Sequence, residues 1–139
     1  MGMFAVVVAL AAASASAAGA TATCWDSAVT QAAMNDCARK DYEAADREMN
    51  VAYKKLMSRN DPIFRKKVQA AQRAWLAYRD AHVDSVYPDP DNVTYGSVRP
   101  MCVHRILAEM TTERTGQLRR LLEPEEGDVC GDGGAAPEK

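Results

Sequence analysis

Apolar residues recur along this chain with a helical period in three stretches. The first sets Ala38, Tyr42, Ala45, Met49, Ala52 and Leu56 at alternating spacings of four and three. The second repeats the pattern with Phe64, Val68, Ala71, Trp75, Tyr78 and His82. The third uses Val103, Leu107, Met110, Leu118 and Leu121, with Arg114 in a slot where an apolar residue is expected. Spacings of this kind place each set on one face of a helix. The stretches are bounded by residues that start and stop helices. Thr30 suits an N-cap, and Asn60-Asp61-Pro62 closes the first helix and opens the second. Asp61 can accept the orphan N–H groups of the new helix, and Pro62 stands where its missing N–H costs nothing. Tyr87-Pro88-Asp89-Pro90 stops the second helix, Pro100 opens the third and Pro124 ends it. No segment of useful length alternates with the period of a strand. The pattern therefore predicts an all-α fold, a small antiparallel bundle of three helices. With a tight turn between the first two helices, the segment 87–99, Cys24, Cys37 and Cys102 should gather at one end.

The N-terminal segment has a different character. Met1 to Ala22 carry no charged side chain, and Phe4 to Ala13 form a continuous apolar run. Small residues follow, with Ala-x-Ala sites at Ala18-Gly19-Ala20 and Ala20-Thr21-Ala22. This is the anatomy of a cleaved signal peptide, expected over residues 1–22. It is too short and too rich in Ser and Ala for a membrane span, which needs about 20 predominantly apolar residues. No second candidate span occurs, so a periplasmic or secreted product is expected. Thr21-Ala22-Thr23 before Cys24 lacks the Leu and the small Gly or Ala of a lipid-attachment site.

Export changes the reading of the cysteines. All four, Cys24, Cys37, Cys102 and Cys130, follow the leader, and an even count in an exported chain favours disulfides. If the first helix begins at Thr30, Cys37 lies ~10 Å up its axis, and the steps from Cys24 can span ~20 Å. The chain can then fold back to make Cys24–Cys37.

Charge divides the chain into a helical domain over 23–123 and a tail over 124–139. The net charge is −2, but residues 123–139 alone hold −5, so the rest carries +3. Neither value is a nucleic-acid footprint. The tail, rich in Gly and Glu, is too poor in apolar residues to fold alone and is expected to be disordered.

Polar residues flank the apolar seam at helical spacing. Asp46 and Asn50 stand beside Tyr53 on the first helix, Gln72, Trp75 and Arg79 on the second, and Arg114 on the third. A guanidinium at a helix seam calls for a carboxylate, because an unpaired buried charge costs several kcal/mol. Asp46 and Asp80 are the nearest supply. The set reads as a polar network that fixes helix register; the sharper alternative is a small-molecule or catalytic site inside the bundle. The chain has no Ser/His/Asp set, no metal-ligand spacing and no Gly-rich phosphate loop. It is therefore expected to be no enzyme and to need no metal or cofactor.

These residues also carry a resemblance. Thr30-Gln31-x-x-Met34-Asn35-x-Cys37, Asp46-x-x-Met49-Asn50-x-x-Tyr53 and Ala71-Gln72-Arg73-Ala74-Trp75-Leu76-x-Tyr78-Arg79-Asp80-Ala81 resemble the LprI-type lysozyme inhibitor family. Gly96-Ser97, Cys102 and Thr112-x-Arg114-x-x-x-Leu118 continue the likeness, which spans residues 24–122. The resemblance implies an exported bacterial helical domain with cystines and a protein partner, lysozyme. An envelope assembly module without lysozyme activity is the rival of another class. The family pattern has a cysteine where this chain has Val83, which leaves Cys102 without its usual mate. Cys130 is the substitute, and a Cys102–Cys130 bridge would return the tail along a ~30 Å helix in about eight residues, near the limit of its reach.

For an inhibitor, the segment from Tyr87 to Arg99 is the candidate binding surface. It is too long for a tight turn and contains Asp89, Asp91, Tyr95 and Ser97. Lysozymes are cationic and hold their catalytic carboxylates in a cleft, so acidic and hydroxyl groups on a loop stiffened by Pro88 and Pro90 suit them.

Overall fold

The computed structural model describes residues 22–123 and 126–127 of the chain. The expected signal peptide lies outside the described residues, apart from Ala22, as does most of the tail, including Cys130. All secondary structure among the described residues is helical. A 3-10 turn, Cys24–Ser27, leads into α1, Gln31–Met57. Then come α2, Pro62–Val86, the single turn α3, Asn92–Tyr95, a 3-10 turn, Gly96–Val98, and α4, Arg99–Leu122.

The caps follow from the sequence. The Thr30 hydroxyl accepts the Ala33 N–H at 3.1 Å, and the Asp61 carboxylate accepts the Phe64 N–H at 2.9 Å, with Pro62 in the first turn. α2 stops at Val86, before the Tyr87-Pro88 step that a helix resists. α4 begins one residue earlier than Pro100, which occupies its first turn.

α1 and α4 lie side by side and run in the same direction. Asn35 donates to the Ser97 carbonyl at 3.0 Å near their beginnings, and Arg119 meets Glu48 at 3.0 Å near their ends. Their backbones approach closely because small and medium residues face each other: Ala38 and Ala52 on α1, Thr111 and Thr115 on α4, all buried. The Thr115 hydroxyl bonds back to the Thr111 carbonyl at 2.9 Å, which satisfies it without a partner across the seam.

α2 runs against both neighbours and keeps its backbone further from them, bridging the gap with long side chains. Gln72 reaches the Met49 sulfur at 3.4 Å, and Arg79 reaches the Tyr42 hydroxyl at 3.3 Å. The apolar core sits toward the α1–α2 turn: Met49, Ala52, Leu56, Val68 and Leu118 are buried, with Phe64, Trp75 and Leu121 against them. One element exceeds the expectation from sequence. The segment 87–98, read as a loop, holds a helical turn and a 3-10 turn joined at Gly96, whose φ of 67° suits glycine.

Candidate functional site

The end of the bundle opposite the core is assembled by one disulfide and by polar contacts. Cys24 and Cys37 are bridged, with their Cα atoms 5.6 Å apart, as a helix start at Thr30 allows. The bridge holds the first 3-10 turn on α1, where the Trp25 indole N–H donates to Asp41 at 2.7 Å.

Against this platform stands the segment 87–98. Asp89 organises it from within. One carboxylate oxygen accepts the Asp91 N–H at 2.8 Å, and the other accepts the Thr94 hydroxyl at 2.8 Å. The Asp91 N–H, then the Thr94 hydroxyl, hold the Asp89 carboxyl below the usual carboxylate range. Asp91 caps α3 by accepting the Val93 N–H at 2.9 Å. The Tyr95 hydroxyl accepts the Asp89 N–H at 2.9 Å, and its ring meets Tyr87 edge to face at 5.1 Å. The Arg99 guanidinium lies 5.7 Å from the Tyr87 ring centre and 5.8 Å from that of Tyr95. Burial pushes the Tyr87 phenol upward, and a hydrogen bond with the Cys102 thiol adds to the shift.

The four loop residues singled out in the sequence are thus brought together, but in unequal roles. Asp89 and Tyr95 are turned to internal work and are only partly exposed. Asp91 and Ser97 face solvent, and Ser97 is tied to α1 by its carbonyl. One exposed side chain was passed over by sequence reasoning: Val93, 82% exposed, is the most exposed large hydrophobic residue of the segment. Its signal was present, since it is the one aliphatic residue between Pro90 and Gly96. Asn35, which fixes the far side of the segment, was noted only as part of a family motif.

The polar seam meets the expectation of a carboxylate partner at Arg79 and departs from it at Arg114. Arg79 pairs with its neighbour Asp80 at 2.7 Å, not with Asp46, and its guanidinium lies 5.5 Å from the Trp75 ring centre. Asp46 accepts from Asn50 at 2.8 Å. Arg114 forms no ion pair among the described residues. It donates to the amide oxygens of Gln72 at 3.0 Å and Gln117 at 2.8 Å, beside the Trp75 ring at 5.9 Å. Burial lowers its proton affinity from the ordinary arginine value. The departure at Arg114 has a physical reason. An arginine whose head reaches the rim of a groove keeps enough water to manage with neutral acceptors and an aromatic face. The seam residues line two open grooves beside α2. One, of about 420 Å³, runs past Asp46, Asn50, Gln72 and Arg79; the other, of about 470 Å³, runs past Trp75, Arg114 and Gln117.

Cys102 is a free thiol among the described residues, and its expected partner Cys130 lies outside them. No group of three or more His, Cys, Asp or Glu side chains gathers as a metal site among the described residues. Nor is any of their helices long and apolar enough to cross a membrane.

The sequence profile of the family described as Lysozyme inhibitor LprI matches residues 24–118, from the first bridged cysteine to the last core leucine of α4. The chain belongs to the LprI lysozyme inhibitor family. The family is one of inhibitors rather than enzymes, and the matched span includes Cys24 and Cys37, the 87–98 segment and the residues of the polar seam. An uncharacterized protein of Rhizobium meliloti (strain 1021) is 36% identical over 112 residues, covering 71% of this chain and 78% of its own length. No solved structure matches the chain.

Proposed function

We propose that this LprI-family chain is exported, loses residues 1–22, and binds and inhibits lysozyme-type muramidases in the bacterial envelope as a protein-binding module without catalysis or cofactor. The observation that carries the reading is the construction of the 87–98 segment. It is internally bonded through Asp89 and Tyr95, clamped to α1 by Asn35, and presents Asp91, Val93, Thr94 and Ser97 to solvent. A segment already fixed in one conformation loses little entropy on entering a cleft. Its acidity suits a cationic enzyme and speeds encounter.

Replacing residues 89–97 with a Gly/Ser linker tests this. Lysozyme-driven clearing of a cell-wall suspension should be inhibited by the parent protein and not by the exchanged one, while helicity stays the same. Equal inhibition by the two proteins would remove the segment from the mechanism. No inhibition by the oxidised parent would leave the family fold serving a different partner. Deleting 124–139 should lower only the association rate, and mainly at low salt.

A further inference from the structure

The opposite end of the molecule, around the α1–α2 turn, has an unlike chemistry. Residues 54–67 contain six cations, Lys54, Lys55, Arg59, Arg65, Lys66 and Lys67, against the single acid Asp61. That acid is occupied as the cap of α2. Arg59 and Arg65 are partly engaged: Arg59 lies 4.2 Å from the Phe64 ring centre, and Arg65 donates to the Arg59 carbonyl. The four lysines are exposed and enter no ion pair among the described residues. At the tip of this basic end stands Ile63, 75% exposed and outside the core cluster. At the other end, residues 80–98 hold four acids and no Lys or Arg. Charge is therefore separated between these two segments, while Glu123 and the acidic residues after it continue from the end of α4 beside the basic end, where Arg59 donates to the Leu121 carbonyl at 3.5 Å.

We propose that the α1–α2 end is a peripheral membrane-docking surface for anionic phospholipids, with the lysines facing the headgroups and Ile63 entering the interface. Two independent features point to this partner. A cluster of basic residues at an anionic leaflet gains about fivefold in partition for each charge near the surface. An aliphatic side chain at the tip adds about tenfold when it leaves water. A soluble polyanion would use the lysines but gain nothing from Ile63, so the paired features favour a lipid surface. The acidic end is repelled by the same surface. Docking therefore aims the 87–98 segment away, about 37 Å off along α2. The inference does not depend on lysozyme binding.

Co-sedimentation with vesicles tests it, using the chain from Thr23 onward, which carries the disulfide, every long helix and the tail. Binding should appear on an equal mixture of phosphatidylcholine and phosphatidylglycerol, be absent on phosphatidylcholine alone, and weaken as salt rises. Lys66→Glu with Lys67→Glu should reduce binding by more than twentyfold, and Ile63→Ser by about tenfold. Arg105→Glu, near the other end, should leave it unchanged. Circular dichroism checks that each variant stays helical. Equal binding to neutral vesicles, or retention of binding by the double reversal, would overturn the proposal. So would insensitivity to Ile63→Ser. Binding of inorganic polyphosphate through the same lysines, with the vesicles left bare, would make this a site for soluble phosphate polymers and overturn the membrane assignment.

Discussion

The two ends of the bundle are held by different forces. Toward the α1–α2 turn, Leu56 and Leu118 have no exposed surface, and Met49, Ala52 and Val68 close around them. Toward the 87–98 segment, Cys37 and Ala38 are the buried apolar residues, and order comes from a disulfide, an aromatic pair and side-chain hydrogen bonds. Burial stabilises whichever end can fill itself with apolar atoms. An end built largely from polar groups has to be fixed another way. The disulfide acts on the unfolded chain, and the Asp89 contacts act locally, so neither needs an apolar core at that end.

On that division the largest effect belongs to the core end. Leu56→Ala should destabilise the whole molecule by about 3–4 kcal/mol, through lost burial plus the cavity left behind. Chemical denaturation followed by far-ultraviolet circular dichroism and by tyrosine fluorescence should then give one shared transition. Separate transitions for the two probes would mean that the ends fold independently. Next comes the bridge. Replacing Cys24 and Cys37 with Ser together should cost about 3 kcal/mol by the chain-entropy estimate for a loop of this length. The loss should carry a local signature: faster hydrogen exchange in α1's first turns and in 96–98, with little change around Leu118. Uniform acceleration would show that the bridge supports the core as well.

The three long helices were legible because helical period, caps and breakers agree around them. Thr30, Asp61 and Pro62 each do what their chemistry implies. The 24–37 bridge was legible because the distance from Cys24 to the helix start sets its reach. What resisted reading was the partnering of the seam. A sequence gives the helix face on which Arg79 and Arg114 stand, but not how far α2 sits from its neighbours. Because α2 stands off, with grooves on both sides, Arg114 lies at a groove rim, while Arg79 is largely buried beside Tyr42 and Trp75. The segment 87–98 was legible in composition but not in division of labour, since only three-dimensional closure turns Asp89 inward and Val93 outward.

The seam supplies a middle-sized effect. For a buried ion pair, losing either arginine would cost roughly 3–5 kcal/mol. With Asp80 mostly exposed, the Arg79–Asp80 pair is worth at most about 1 kcal/mol. The Trp75 contact adds about 0.5–1 kcal/mol. Arg79→Ala should therefore cost about 1–2 kcal/mol in thermal or denaturant unfolding. Arg114→Ala should cost a similar amount, because buried Gln72 loses a donor to its amide oxygen. A loss above 3 kcal/mol for either variant would restore the picture of a dry, paired network.

The smallest effect is the most local, and it concerns protonation of Asp89. Its carboxyl is held below its ordinary value near 3.8 by the Asp91 N–H and the Thr94 hydroxyl. A carboxyl depressed in the folded state stabilises that state above its unfolded value. It loses the contribution as pH falls through the folded value. Order in the 87–98 segment should therefore be intact at neutral pH and decline only below about 3.8, where Asp89 begins to take up a proton. Asp36 is also lowered, by its bonds to Lys40 and Arg39 on the exposed face of α1, so a global unfolding curve would mix the two. A probe inside the segment separates them. The Thr94 amide and the Tyr95 ring protons should shift together as acid loosens the turn, while Leu118 resonances stay in place. Asp89→Asn keeps the shape and removes the charge, so it should give a loosened segment at all pH values and flatten the acid response of Thr94. The wild-type protein and this variant titrating alike at Thr94 would show that the segment is ordered by the tyrosine pair and Arg99, with Asp89 a bystander.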